Sequence, residues 1–185
     1  MRLTFLAVTS LAFCSLLCAQ QQPAGLHNFH QVNDHVYRGA QPSKEGFQSL
    51  ASLGVKTVID LRGGGGRSRD EQKVVEAAGM RYIAIPFDGF EAPSDEQIAK
   101  VLALLNDGSS GPVFVHCRRG ADRTGTVIAC YRISHDHWDA KKALAEAVAD
   151  GMSRLEVEMK HYLLNYTNLP SLQAPAAAVP ATIVP

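Results

Sequence analysis

The sequence has no excess of charge of either sign. Lys and Arg together number 18, Asp and Glu together number 18, and the formal net charge is +0 at pH 7. A protein that binds nucleic acid or an anionic membrane surface through its overall charge needs a basic excess. The composition therefore argues against both partners, and any affinity for anions must be local. With 46% hydrophobic residues over 185 positions, the chain can form one domain with a proper core.

Long hydrophobic runs are confined to the N-terminus. Met1-Arg2 gives a short positive start, an apolar run extends from Leu3 to Leu17, and Cys18-Ala19-Gln20 follows with a small residue for cleavage. The run is short for a membrane-spanning helix, so residues 1–19 are predicted to be a secretory signal peptide, with an uncleaved anchor as the alternative. We therefore expect an exported protein, periplasmic or secreted, with no stable membrane span.

Cysteine is scarce, with four in the chain. Without the predicted signal peptide, Cys117 and Cys130 remain. If Cys130 lies seven residues into the helix beyond the loop, its Cα is about 10 Å from the end of that loop. A disulfide needs Cα atoms within about 7 Å. Cys130 is therefore predicted to be a packed helix residue and Cys117 a free, reactive thiol.

Nucleotide and metal motifs are also missing. Gly63–Gly66 is not followed by Gly-Lys-Ser/Thr, so it is not a Walker loop. The histidines at 27, 30, 35, 135 and 137 have no cysteine or carboxylate at ligand spacing with a closing partner. We expect no metal and no cofactor.

Strand and helix patterns alternate along the chain. Strands are predicted at 36–38, 55–60, 81–85 and 113–115. Helices are predicted at 43–53, 69–78 and 94–106. Three more helices are predicted, one that continues after residue 125 and two that begin at the caps Asp139 and Ser153. This order predicts a three-layer α/β fold with a central, mostly parallel sheet of about four or five strands and helices on both faces. The domain is predicted over 35–169, with a leader at 20–34 and a disordered Ala/Pro-rich tail at 170–185.

One stretch carries the chemistry, His116-Cys117-Arg118-Arg119-Gly120-Ala121-Asp122-Arg123-Thr124-Gly125. It follows a buried strand and precedes a helix, so backbone N–H groups and the helix dipole converge on the loop. Five residues separate Cys117 from Arg123, enough to wrap one tetrahedral phosphate. This setting is expected to lower the pKa of the thiol, and the arginine fork can hold two phosphate oxygens.

The stretch resembles the signature His-Cys-x5-Arg-(Ser/Thr) of the cysteine-dependent protein tyrosine phosphatase superfamily, and the short domain is similar to its compact dual-specificity branch. The resemblance implies a phosphotyrosine protein phosphatase-like fold and hydrolysis through a phosphocysteine. Cys117 would be the nucleophile, Arg123 would hold two equatorial oxygens, and Thr124 would hydrogen-bond the thiolate. His116 would orient the loop or be merely structural. The phosphate would bind to the N–H groups of Arg118, Arg119, Gly120, Ala121, Asp122 and Arg123.

The general acid has two main candidates. In members of the superfamily, the general acid is an aspartate on a loop that lies one strand and one helix before the signature. Pro86-Phe87-Asp88-Gly89 occupies that place and resembles the Pro-Phe-Asp-Asp loop of the phosphatases of regenerating liver. The resemblance therefore favours Asp88. Myotubularin-type lipid phosphatases place an aspartate directly before the signature arginine, which makes Asp122 the rival unless it pairs with Arg118 or Arg119. Glu91 and Asp95 are weaker candidates, since Asp95 fits a helix-capping role.

The substrate stays open between phosphoproteins and phosphoinositides or inositol phosphates. Arg118 and Arg119 either select multiply phosphorylated substrates or pair with Asp122 and face solvent. Arg62, in a segment Asp60-Leu61-Arg62 common in dual-specificity phosphatases, reaches the substrate or braces the loop. Two other functions compete: a rhodanese-type sulfurtransferase, whose loop is typically one residue shorter, and a phospho-binding module without catalysis.

Overall fold

The computed structural model describes residues 22–63, 66–89 and 91–167. The predicted signal peptide and the predicted Ala/Pro-rich tail lie outside these residues. In the described part of the chain, none of the helices has the length and apolar character that a bilayer crossing requires.

A five-stranded sheet forms the middle layer. Its order is β1-β2-β5-β3-β4; β1 pairs antiparallel at one edge, and the other neighbours are parallel. The strands are β1 His30–Gln31, β2 Val36–Ala40, β3 Thr57–Asp60, β4 Arg81–Ala84 and β5 Val113–Cys117. The predicted α/β class and mostly parallel sheet are confirmed.

The described residues contain six α-helices in the predicted order, and three of these helices begin at a side-chain cap. Ser43 and Asp139 each accept a backbone N–H of the first turn, and Ser94 forms a capping box with Gln97. The helices are α1 Lys44–Ser52, α2 Gly66–Ala77, α3 Asp95–Asn106, α4 Asp122–Ser134, α5 Ala140–Ala149 and α6 Val157–Asn165, with a short 3₁₀ turn at Gly108–Ser110.

Three predicted features differ from the structure. Ser153 does not cap the last helix, because α6 begins only at Val157; the Ser153 amide instead donates to Asp122 Oδ1. Part of the predicted leader also belongs to the domain: β1 pairs with β2, and Leu26 is buried among core side chains. In addition, α2 begins three residues before the predicted start, while Gly64 and Gly65 lie outside the described residues.

The core lies on both faces of the sheet, because successive side chains of a strand point to opposite faces. In β5, Val113 and Val115 pack with the apolar side chains of α3, α4, α5 and α6, whereas Phe114 packs with those of α1 and α2. The carboxyl ends of the parallel strands β2, β3 and β5 lie side by side at one end of the sheet, where Cys117 pairs with Ala40 and His116 pairs with Asp60. Ligands of open parallel sheets bind at this end.

Candidate active site

The segment Cys117–Arg123, which we name the phosphate loop, joins the last residue of β5 to the first turn of α4. Cys117 is only 2% exposed. Gly120 has a φ of +69°, and a Cβ there would lie 2.4 Å from backbone atoms of Gly39 and Ala40. Only glycine fits this turn, because the backbone is left-handed and β2 packs directly beneath it.

Five successive backbone carbonyls of the phosphate loop have partners outside its interior. Arg118 O accepts from Gln41 N at 3.4 Å, Arg119 O from Asn28 Nδ2 at 3.3 Å, Gly120 O from Arg38 Nη2 at 2.5 Å and Ala121 O from Gly125 N of α4 at 2.6 Å, and Cys117 O lies 3.3 Å from Nδ1 of the preceding His116. A trans peptide directs its N–H opposite to its C=O, and the described chain has no cis peptide. The N–H groups of residues 118–122 therefore point the opposite way, into the loop, an arrangement that can bind an anion.

Arg123 and Thr124 follow the cradle on α4. Arg123 is half-buried, and its Nη1 lies 3.5 Å from the carbonyl oxygen of Leu61, at the end of β3. The Thr124 hydroxyl is buried and has no hydrogen-bond partner among the described residues. The predicted bond from Thr124 to the Cys117 sulfur is therefore not formed in this structure.

His116 is held behind the loop. The side chain is fully buried and stacks on Phe114, with ring centroids 5.6 Å apart. Nδ1 faces the Cys117 carbonyl, and Nε2 lies 3.0 Å from Glu71 Oε1 of α2, although that second contact lacks good hydrogen-bond geometry. These contacts hold the imidazole ring in place, and the orienting role of His116 stays a prediction.

Arg62 braces the end of β3. It donates to both carboxylate oxygens of Asp60, and its Nη2 also lies 2.7 Å from Glu71 Oε2. Burial opposes the charge of Arg62, but its two acidic partners raise its pKa. Burial likewise tends to raise the pKa of Asp60, yet the hydrogen bonds from Arg62, the charge of His116 and the hydrogen bond from Tyr82 lower it overall. Arg62 was predicted either to reach the substrate or to brace the loop, and these contacts are those of a bracing residue.

Three side chains of this network are of the types that bind metal ions. Ligand atoms of Asp60, Glu71 and His116, all buried, lie within 4.8 Å of one another. The Arg62 guanidinium already contacts an oxygen of each acid, so it supplies the positive charge that a metal would bring. We interpret the group as an ion-pair network, and the absence of a metal stays a prediction.

The segment Pro86–Gly89, which we name the acid loop, follows β4 at the same end of the sheet. Phe87 is 3% exposed, and its amide donates to Leu61 O at 3.0 Å. Gln97 of α3 donates to Pro86 O at 2.7 Å. Asp88 itself is exposed. The acid loop is thus anchored beside the phosphate loop, with its carboxylate at the surface.

The rival acid, Asp122, is bound on both carboxylate oxygens. Oδ1 accepts from Ser153 N at 2.8 Å, and Oδ2 accepts from Arg119 Nη2. These bonds tie α4 to the segment before α6 and leave Asp122 little freedom to donate a proton to a substrate. Arg119 is thus the ion-pair partner of Asp122, and the side chains of Arg118 and Arg119 are both exposed. Of the two weaker candidates, Asp95 accepts a hydrogen bond from Tyr162, and Glu91 is exposed.

Several residues at the site were missed by sequence reasoning: Asn28, Arg38, Glu71, Asp150 and Glu156. Glu156 is buried, and burial together with the charge of Asp122 raises its pKa, while Arg119 and Arg123 lower it. One signal was available, since Arg38 is a charged residue in the predicted strand 36–38. The others have no local pattern, because their partners are far away in the sequence.

Comparison with protein families gives one match over most of the chain. Residues 19–164 match the family described as DSP-PTPase phosphatase fused to NAD+ kinase. The match includes the phosphate loop, the acid loop and all five strands.

The curated relatives include a dual specificity protein phosphatase and several inositol diphosphatases. The dual specificity protein phosphatase TpbA of Pseudomonas aeruginosa strain UCBPP-PA14 is 30% identical over 67% of this chain and 55% of its own length. The inositol diphosphatase DSP2 of Oryza sativa subsp. japonica is 29% identical over 57% of this chain and 53% of its own length. The chain thus spans about half the length of these curated relatives.

Solved structures show the same fold. The crystal structure of TpbA from P. aeruginosa superposes with a TM-score of 0.66 and 26% identity, covering 76% of this chain and 86% of that chain. The catalytic core of the PP-IP phosphatase SIW14 from S. cerevisiae gives a TM-score of 0.70 at 22% identity, covering 79% and 89%. The second likeness is one of fold alone.

Proposed function

Because the chain belongs to the DSP-PTPase phosphatase family, we propose that it hydrolyses phosphate monoesters through a phosphocysteine on Cys117. The observation that carries the proposal is the phosphate loop, whose carbonyls are bound from outside and whose N–H groups face inward between Cys117 and Arg123. This cradle offsets the charge that would otherwise repel an anionic nucleophile from an anionic ester.

The reaction has two steps. The Cys117 sulfur attacks phosphorus, the P–O ester bond breaks, and the leaving oxygen takes a proton from Asp88. Water then attacks the phosphocysteine, the P–S bond breaks, and the Asp88 carboxylate accepts a proton from that water. Inorganic phosphate and the Cys117 thiolate are released. Arg123 holds two equatorial oxygens in both steps.

The test measures phosphate release from para-nitrophenyl phosphate and sulfur transfer from thiosulfate to cyanide on the same preparation. We expect phosphate release alone. Sulfur transfer without phosphate release would indicate a rhodanese-type sulfurtransferase. Vanadate binding with neither activity would indicate a phospho-binding module.

For the substrate, we propose a phosphorylated protein first and an inositol phosphate second. The first is supported by TpbA, described as a dual specificity protein phosphatase and crystallised as a cysteine-to-serine variant in complex with pTyr. The second is supported by the relatives described as inositol diphosphatases and by the exposed Arg118 at the loop. A panel comparing a phosphotyrosine peptide, phosphoinositides and soluble inositol phosphates at equal concentration ranks kcat/KM and decides between them.

We also propose export, on the strength of the signal-like residues 1–19. The test is N-terminal sequencing of the protein after expression of the full chain in a bacterial host. A mature N-terminus near Gln20 in the periplasm or medium supports export. A full-length protein retained with the cells contradicts it.

A further inference from the structure

Arg38 is the most unusual side chain near the site. It lies in the middle of β2 and its side chain is only 1% exposed. Burying a guanidinium is unfavourable unless strong partners surround it. Nη1 of Arg38 donates to Asp150 Oδ2 at 2.7 Å, and Nη2 donates to the carbonyl oxygen of Gly120 at 2.5 Å. One arginine therefore connects the end of α5 with the phosphate loop.

Asp150 is held in turn by the N-terminal segment. The Asn28 side-chain amide lies 3.0 Å from Asp150 O and 3.3 Å from Arg119 O, and Asn28 has a φ of +48°. His30 Nε2 lies 3.7 Å from Asp150 Oδ1. Three distant parts of the chain thus converge beneath residues 119 and 120.

Arg38 is also close to the nucleophile in the sheet, because it pairs with Val115 of β5, which lies two residues before Cys117 and on the same face. Burial lowers the pKa of Arg38, the negative charges of Asp150, Glu146 and Cys117 raise it, and Arg132 lowers it. An arginine keeps its proton in proteins. A thiolate at Cys117 therefore has a buried cation behind it, where water cannot screen the attraction as it does at the surface.

We propose that Arg38 is a positioning residue of the active site, which holds the Gly120 carbonyl outside the phosphate loop and places a positive charge behind Cys117. Both effects prepare the site before an anion arrives. The consequence for catalysis rests on the proposed function, whereas the consequences for anion binding and thiol reactivity do not.

The experiment compares Arg38→Met and Arg38→Lys with Arg132→Met. Arg132 is a matched control, because it is also an arginine with little exposure and with carboxylate partners, Glu146 and Asp136, and its hydrogen bonds do not involve the phosphate loop. Two readouts are measured without turnover. One is the rate at which iodoacetamide labels Cys117 as a function of pH, followed by mass spectrometry of the Cys117 peptide. The other is the dissociation constant of vanadate.

Arg38→Met is expected to shift the midpoint of the labelling profile upward by about one pH unit, a tenfold loss of labelling below the midpoint, and to weaken vanadate binding about tenfold. Arg38→Lys keeps the charge but loses the fork, so it should retain the midpoint and still weaken vanadate binding. Arg132→Met should change neither readout.

The titratable and charged groups around Arg38 are Asp150 at the end of α5, Glu146 of α5, Arg132 of α4, Cys117 of β5 and, through Asp150, His30 of β1.

Unchanged labelling and vanadate binding in folded Arg38→Met would overturn the inference, as would equal shifts in Arg132→Met. Should Arg38→Met fail to fold, Arg38→Lys carries the test through vanadate binding, and an unchanged dissociation constant there overturns it. Wild-type protein that binds vanadate and labels at low pH but releases no phosphate would overturn the proposed function instead, while these comparisons still decide the role of Arg38.

Discussion

The phosphate loop and the acid loop lie at the same end of the sheet, but they differ in burial and in hydrogen bonding. In the phosphate loop, Cys117 and residues 120–122 are buried, and each carbonyl from Cys117 to Ala121 has a partner outside the loop's interior. The acid loop is anchored through Pro86 and Phe87 and presents Asp88 at the surface. Under the proposed function, the phosphoryl group that all phosphate esters share would bind in the phosphate loop, and the leaving group, which varies between substrates, would meet the exposed Asp88.

The two loops are linked through one residue. The carbonyl oxygen of Leu61, a fully buried residue just after β3, accepts from Phe87 N at 3.0 Å and lies 3.5 Å from Arg123 Nη1. The end of β3 therefore sets the position of the acid loop relative to the phosphate loop. Substitutions can separate what each loop contributes.

The largest effect is expected for Cys117→Ser in the phosphate loop. Turnover of para-nitrophenyl phosphate should fall on the order of 10⁶-fold, the scale seen when the nucleophile of a covalent hydrolase is removed. Vanadate should still bind, because the cradle is mostly backbone and Arg123. The buried Cys130 is the control, and Cys130→Ala should keep most of the activity. Substantial turnover in Cys117→Ser would exclude the covalent mechanism.

The acid loop should show a smaller loss that depends on the leaving group. Asp88→Asn is expected to reduce turnover of a phosphotyrosine substrate by roughly 10²–10⁴-fold and to flatten the basic limb of the pH–rate profile. The loss should be much smaller for an ester whose leaving group is a weak base, because that group departs without a proton. Steady-state kinetics with both esters measure the difference.

Asp122→Asn is the matched comparison from the phosphate loop. Since both oxygens of Asp122 are bound to Ser153 and Arg119, its loss should act through loop geometry and be nearly equal for the two esters. Leaving-group sensitivity in Asp122→Asn, together with indifference in Asp88→Asn, would assign the acid role to Asp122.

A pair of glycines tests how tightly each loop is packed. Gly120→Ala should reduce the free energy of unfolding by about 2–4 kcal/mol, because φ is +69° and the added Cβ meets the backbone of β2. Gly89→Ala in the acid loop should change it by less than about 0.5 kcal/mol, since a Cβ there meets nothing within 4 Å. Urea unfolding measures both. Equal costs would contradict the contrast between the loops.

The smallest effect concerns the network that supports both loops from β3. Asp60→Asn should reduce the free energy of unfolding at pH 7 by about 2 kcal/mol, because it weakens buried hydrogen bonds to a charged group. The folded-state pKa of Asp60 is lowered, so its stabilisation is fully present above its unfolded pKa of about 3.9 and is lost as the pH falls through the folded pKa. The difference between wild type and variant should therefore be constant from pH 7 to about pH 5 and shrink below that. A difference that stays unchanged in acid would contradict the assignment.

Much of the fold was predictable from local signals. Caps at Ser43, Ser94 and Asp139 placed three helix starts, and apolar runs placed four of the five strands. The missing strand, β1, has two residues and no apolar pattern, so only its pairing with β2 defines it. Ser153 looked like a cap by residue type, but its amide is used to hold Asp122.

The sequence by itself determined the chemistry of the site, because a thiol, an arginine and a run of backbone N–H groups lie within seven consecutive residues and a strand–loop–helix context brings them together. Only the tertiary structure decided what holds that loop open. Three of the donors to its carbonyls come from residues 28, 38 and 41, and the support behind it comes from Glu71 and Asp150. Such contacts join residues that are distant in sequence, so no local pattern encodes them, and they form only when the sheet brings its strand ends together.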